Sequence, residues 1–354
     1  MPDLNSTQRN GDTDDQHLTA DQLRSACERA LPGRVSVDVS ELEPLARGWE
    51  TDNTAFILES GPPGRRQRQE LVMRIYPGDN AAAKAAHEFR VLDALHRVGY
   101  PVPEPLALVD GDSPAGGPFV LMERIRGEMM WHLLDRMHGA DEQRLLDQFC
   151  RMLADLHRLD GRGFLTDPTI DTADPLAWTR RELARFRQFV GAMLPKSGFD
   201  AALEWLEARA RELPCLRPAV VHWDFHPGNV LIRADGSAVV IDWTGGTVTD
   251  PRIDLAWTRL LMGAHGRAEW SAKVLAGYER HIGARVEDIE YFDAAMAVRR
   301  LFDVTVSLGQ GAERLGMRPG AVDHMRATLP ALGRVYDLFR RITGLRIAEV
   351  EALF

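Results

Sequence analysis

The sequence predicts an α+β protein of two lobes: a small one built on a five-stranded antiparallel sheet with a helix, and a larger, mostly helical one that holds a β-hairpin. Three observations carry this. The 354 residues exceed one compact core and suit two lobes around a cleft. Short runs of alternating apolar and polar residues fill the chain up to residue 125, and helical periodicity dominates after it. The exception is VVHWDFHPGNVLIRADGSAVVIDW, residues 220–243, where histidines, aspartates and an asparagine interrupt apolar runs that read as buried strands.

Residues 1–17 are polar and acidic and read as a disordered tail. Thr19 to Gln22 then caps a helix over 21–30. RVSVDVSELEPLARG and NTAFILES read as half-buried strands, GPPGRRQRQ as an exposed hairpin tip and ELVMRIY as a third strand. A helix follows over 81–98 with Phe89, Leu92 and Leu95 on one face. PVPEPLALVDGDSPAGGPFVLMERI supplies two more strands around a Gly/Pro-rich turn. These elements define a lobe over 18–125. The second lobe, 126–354, has helices over 141–159, 175–190 and 200–213 and more after Asp250, around a hairpin that turns at Asp235-Gly236.

The net charge of −9 disfavours a nucleic-acid surface, which needs clustered Lys and Arg, and favours a cationic small molecule. Cys27, Cys150 and Cys215 are widely spaced, outside any CxxC pattern, and fit a reducing, cytoplasmic setting without zinc or disulfides. No run reaches the roughly 18 apolar residues of a membrane helix, and the N-terminus does not resemble a signal peptide.

The chemistry concentrates in the interrupted hairpin. Its order is His222-x-Asp224-x-x-x-x-Asn229, a strand, a turn, a second strand and Asp242. A hairpin brings its two ends together, so Asp224, Asn229 and Asp242 converge. Phosphoryl transfer from ATP requires such a set, because its transition state is stabilised by positioned magnesium and by orientation of the attacking hydroxyl. Magnesium takes hard oxygen ligands, commonly one or two side chains plus phosphate oxygens. Asn229 and Asp242 supply such ligands, and Asp224 is suited to orient the hydroxyl or accept its proton. Three fixed positions over about 350 windows arise by chance ~0.04 times.

HWDFHPGN followed by VVIDW resembles the catalytic motif and metal-binding aspartate of the aminoglycoside phosphotransferase and choline kinase superfamily, whose fold is protein-kinase-like. PVPEPLAL, FVLMERIRG, MLADLHRLD and TDPRIDLAW resemble family segments in the same order. The resemblance implies Asp224 as catalytic base, His222 as organiser of the catalytic loop, and Asn229 and Asp242 as magnesium ligands. Trp223 departs from the pattern, which usually has Gly there.

The same resemblance implies a nucleotide site in the small lobe. LARGWETDN, with Gly48 and Asn53, stands where a loop covers the phosphates. Arg74 takes the place of the phosphate-contacting Lys of protein kinases, and its planar fork suits phosphate and carboxylate alike. Glu88 stands at the helix glutamate that holds that cation. Met122, Glu123 and Ile125 fall where the lobes join and where the family binds the base of ATP or GTP. The expected activity is transfer of the γ-phosphate to a small-molecule alcohol. Aminoglycosides, macrolides, choline, ethanolamine, sugars, homoserine and methylthioribose all fit one catalytic core. Asp254, Glu204, Glu207 and the Phe354 carboxylate are weaker candidates for the acceptor side. A silent nucleotide- or ligand-binding module is the alternative that Arg74 raises. Oligomeric state is not legible.

Overall fold

The computed structural model describes residues 18–45, 51–78, 80–111, 113–164, 174–215, 217–317 and 320–354. The expected tail, 1–17, and Gly48 lie outside them.

The chain folds as two lobes. In the small lobe, helix α1 (Ala20–Ala30) starts at Thr19, whose hydroxyl accepts from Gln22 N–H while the Gln22 side chain accepts from Thr19 N–H. This reciprocal capping fixes the start that the sequence announces. Strands β1 (Asp38–Pro44), β2 (Asp52–Ser60) and β3 (Gln67–Ile75) form a meander. Helix α2 (Ala81–Arg97) crosses over, and β4 (Pro105–Val109) and β5 (Phe119–Glu123) complete an antiparallel sheet of order β1-β2-β3-β5-β4. Strand periodicity sorts the side chains: Phe119 and Leu121 join the core beneath α1, whereas Val120 and Met122 join the core beneath α2.

The large lobe opens with β6 (Glu128–Met129), α3 (Met130–Arg136), α4 (Ala140–Arg158), α5 (Ala177–Met193) and α6 (Phe199–Ala210). Four short strands follow: β7 (Ala219–Val221), β8 (Val230–Ile232), β9 (Ala238–Val240) and β10 (Thr247–Thr249). Helices α7 (Arg252–Ala264), α8 (Ala268–Ile282) and α9 (Ile289–Gln310) pack on one another, and α10 (Ala321–Ala327), α11 (Leu329–Thr343) and α12 (Ala348–Glu351) close the lobe.

The hairpin is β8–β9. Its turn places Gly236 at φ +82° and closes with Ser237 N–H on Asp235 Oδ1 at 2.9 Å. Two pairings go beyond the sequence expectation. β8 also pairs with β6, and β7 pairs with β10 rather than with the hairpin. The polar stretches 222–229 and 241–246 thus become loops between two small sheets. Among the described residues no helix is long and apolar enough to cross a membrane.

Candidate active site

The loop 222–229 is held mainly by α7. Asp254 is fully buried and accepts the backbone N–H groups of His222 at 2.7 Å and Trp223 at 2.8 Å. One turn further on, Trp257 Nε1 donates to Asp224 Oδ1 at 2.6 Å, and Thr258 Oγ1 donates to the Phe225 carbonyl at 2.5 Å. Residues i, i+3 and i+4 share one helix face, so a single buried polar stripe on α7 fixes four successive residues. His222 does the rest. Its Nδ1 receives Asp224 N–H at 3.2 Å, and its Nε2 lies 2.9 Å from the Ile241 carbonyl, linking the loop to the end of β9.

Trp223 has φ +68°, a left-handed backbone that costs a bulky residue about 1–2 kcal/mol. Here the structure accounts for the unusual residue: both of its backbone polar groups are held, the N–H by Asp254 and the carbonyl by Arg299 Nη1 at 2.9 Å. The Arg299 guanidinium also sits 4.4 Å from the Trp257 ring and 5.1 Å from the Trp223 ring. Gly245 permits the arrangement, since a Cβ there would lie 2.9 Å from Trp223 Cβ.

The Asp224 carboxylate opens to the cleft. Beyond Trp257, its Oδ2 lies 3.2 Å from Asn229 Nδ2 and 3.6 Å from His226 Nε2. Burial pushes its carboxyl upward, but the neighbouring His226 foremost, then His222 and the Arg299 guanidinium, outweigh that and hold it well below the usual carboxylate range. Asn229 Nδ2 also donates to the Asp224 carbonyl at 2.9 Å. With its amide nitrogen so engaged, Asn229 Oδ1 is left as an acceptor.

Arg74 on β3 reaches across the lobes. Its Nη2 lies 2.8 Å from Asp242 Oδ1 and its Nε 3.2 Å from Glu88 Oε2. Glu88 is buried on α2; it also accepts from Tyr76 Oη and, at 3.1 Å, from Trp243 N–H. Burial raises the Glu88 carboxyl against the opposing pull of Arg74. Thr244 Oγ1 shares Asp242 Oδ1 at 3.3 Å, leaving Asp242 Oδ2 outside these bonds.

Asn229 and Asp242 thus each present one oxygen, and Ile241 N–H to the Asn229 carbonyl, 2.9 Å, ties their loops together. Two hard oxygens fit a magnesium ion that phosphates mostly hold. Among the described residues no group of three or more His, Cys, Asp and Glu is placed to hold a metal by itself. Near Arg74, Thr51 Oγ1 and Asn53 Oδ1 on and beside β2 are buried without hydrogen-bond partners, and Asn53 sits opposite Arg74 in the β2–β3 ladder.

Arg74, Asp224 and Asp242 face a common cavity of about 1030 Å³. Glu88, His222 and Asn229 support them from outside its lining. Met122, Glu123 and Ile125 lie at the lobe junction, also outside it; Glu123 N–H donates to the Glu104 carbonyl at 2.9 Å, and its carboxylate accepts from Arg233 Nη2 at 2.6 Å. Glu207 pairs with Arg187, and Glu204 is exposed on α6. Phe354 is exposed beside Gly333 of α11, away from the cavity. Sequence reasoning missed Trp257, Tyr76, Arg299 and Arg300. A signal existed for the first: Asp254, Trp257 and Thr258 are polar-capable side chains at i, i+3 and i+4 of α7.

The chain is 27% identical over 238 residues to acyl-CoA dehydrogenase family member 11 of Gallus gallus, a match covering 65% of this chain and 29% of that protein. It is 26% identical over 203 residues to family member 10 of Mus musculus, covering 54% and 18%. The chain therefore spans less than a third of the length of these relatives. A Ralstonia eutropha JMP134 protein provisionally named an aminoglycoside phosphotransferase superposes with a TM-score of 0.64 at 20% identity, over 92% of this chain and 99% of that one. Macrolide 2′-phosphotransferase type I gives 0.56 at 21%, over 87% and 95%. These structures share the fold. The model of the phosphotransferase enzyme family matches residues 41–294, most of the chain, and the protein belongs to that family.

Proposed function

We propose that this protein transfers the γ-phosphoryl group of ATP to a hydroxyl of a small molecule, with 18–125 as the nucleotide-binding lobe and 126–354 as the catalytic and acceptor-binding lobe. The observation that carries this is Asp224: a carboxylate held ionised at one cavity with Arg74 and Asp242, its orientation fixed by Trp257 and Asn229. In this reading Asp224 aligns the acceptor hydroxyl and takes its proton as the new O–P bond forms and the bond from the γ-phosphorus to the ADP oxygen breaks. Arg74, held by Glu88, steadies the phosphates. Asn229 Oδ1 and Asp242 Oδ2 would hold magnesium, which when bound offsets the phosphates' negative charge. The test is ADP release with Mg-ATP across a panel of alcohols. Asp224→Asn should lower kcat by about 10³-fold and leave nucleotide affinity intact. Tight nucleotide binding with no transfer to any acceptor would instead support a binding module, and an unimpaired Asp224→Asn variant would remove Asp224 from the mechanism.

A further inference from the structure

The acceptor side of the cavity is walled by α5, α7 and α9, and its charges are unequally committed. Every acidic side chain on it, among the described residues, is already engaged. Glu182 pairs with Arg181 at 2.6 Å and Asp250 with Arg252 at 2.7 Å, Asp303 lies 4.0 Å from Arg299, and Asp224 and Asp242 belong to the reaction centre. Arg300 is different. It lines the cavity beside Arg299 on α9, and no described carboxylate lies within ion-pair distance of it. Desolvation pushes its guanidinium downward, although the more distant Asp303 and Asp224 act in the opposite direction. Its influence is felt nearby: His265 and His324 are both pushed down, first by burial and next by Arg300.

A desolvated guanidinium without a carboxylate is costly unless something anionic joins it. The same cavity is also lined by the apolar side chains Phe186, Leu261 and Met296, and by Phe189, which is still 39% exposed. A polycation, which the net charge of −9 favours, would find no uncommitted carboxylate here and would meet Arg300. We infer that the acceptor is an alcohol with an apolar body and an anionic group, carboxylate or phosphate, that pairs with Arg300 while its hydroxyl reaches Asp224. This rests on the phosphotransferase reading for the hydroxyl, and on the charge pattern of the cavity for the anion.

The experiment separates the two. Calorimetric titration of the full chain, loaded with magnesium and a non-hydrolysable ATP analogue, uses hexanoate, hexyl phosphate, hexanol and hexylamine. A charge-assisted pair makes at least one of the two anions bind about tenfold or more tighter than hexanol and hexylamine, and the better anion identifies the group. Arg300→Gln, checked for an unchanged melting temperature, should level the four, and Arg300→Lys should restore part of the preference. Equal or tighter binding of hexylamine or hexanol, no binding of either anion, or a preference that survives Arg300→Gln would overturn the inference. Turnover is read separately with 6-hydroxyhexanoate and 6-amino-1-hexanol. Preferred phosphorylation of the amino alcohol sinks the anionic acceptor and keeps the kinase. An Arg300-dependent anion preference in a chain that phosphorylates nothing sinks the kinase and keeps the anion site.

Discussion

The two halves of the site are built on opposite plans. The catalytic loop is anchored within one lobe by a polar stripe on α7, mostly through hydrogen bonds to backbone groups. The phosphate side is a chain of ion pairs between lobes, in which Arg74 from the small sheet meets Asp242 from the large lobe, 168 residues away in sequence, over the buried Glu88. The first plan fixes geometry whatever the lobes do; the second makes the Arg74–Asp242 contact depend on how the lobes sit. The acceptor end should therefore be stiff and the phosphate end responsive.

That contrast can be broken most forcefully at Asp254. Asp254→Ala leaves two buried N–H groups without an acceptor and should cost roughly 4 kcal/mol in denaturant unfolding, with kcat falling alongside. A loss under about 1 kcal/mol would show that the loop holds itself. On the other side, Arg74→Met leaves Glu88 buried without its cation and should cost about 3 kcal/mol. The double variant with Glu88→Leu should lose less than the sum of the singles, and strict additivity would mean that the pair does not act as a unit.

His226→Asn tests the imidazole beside the Asp224 carboxylate. In the native protein the Asp224 carboxyl is depressed, so its linked stabilisation is fully present above the unfolded value near pH 4 and is lost as the pH falls through the lower folded value. Removing His226 should raise that carboxyl and move the acid limb of the kcat/KM profile upward, while destabilising the fold more at neutral pH than at acid pH. A static acid limb would assign the depression elsewhere. The smallest effect is expected at Trp223: Trp223→Gly should be more stable than Trp223→Ala by about 1 kcal/mol, because only glycine releases the left-handed strain.

What the sequence disclosed follows the same division. The spacing from His222 to Asp242, the β1–β5 lobe and the Arg74–Glu88 pairing were legible, because each is carried by local periodicity or by a motif whose members sit within one or two elements. β6 was not, since two residues show no period, and the β7–β10 pairing joins segments separated by the whole hairpin. Trp257 was not legible: only its indole N–H, invisible to a hydrophobicity pattern, makes it a partner of Asp224. The phosphate loop around Gly48 keeps its sequence reading alone.

The α7 stripe also bears on how such a protein changes. A helix fixes the spacing of its side chains at 1.5 Å rise per residue, so Asp254, Trp257 and Thr258 act as a ruler laid along the loop that holds the reacting groups. The cavity side chains proposed to read the acceptor stand on other helices, Phe186 on α5 and Arg300 on α9. Drift in those walls can retarget the cavity while the ruler, and with it the position of Asp224, stays constant.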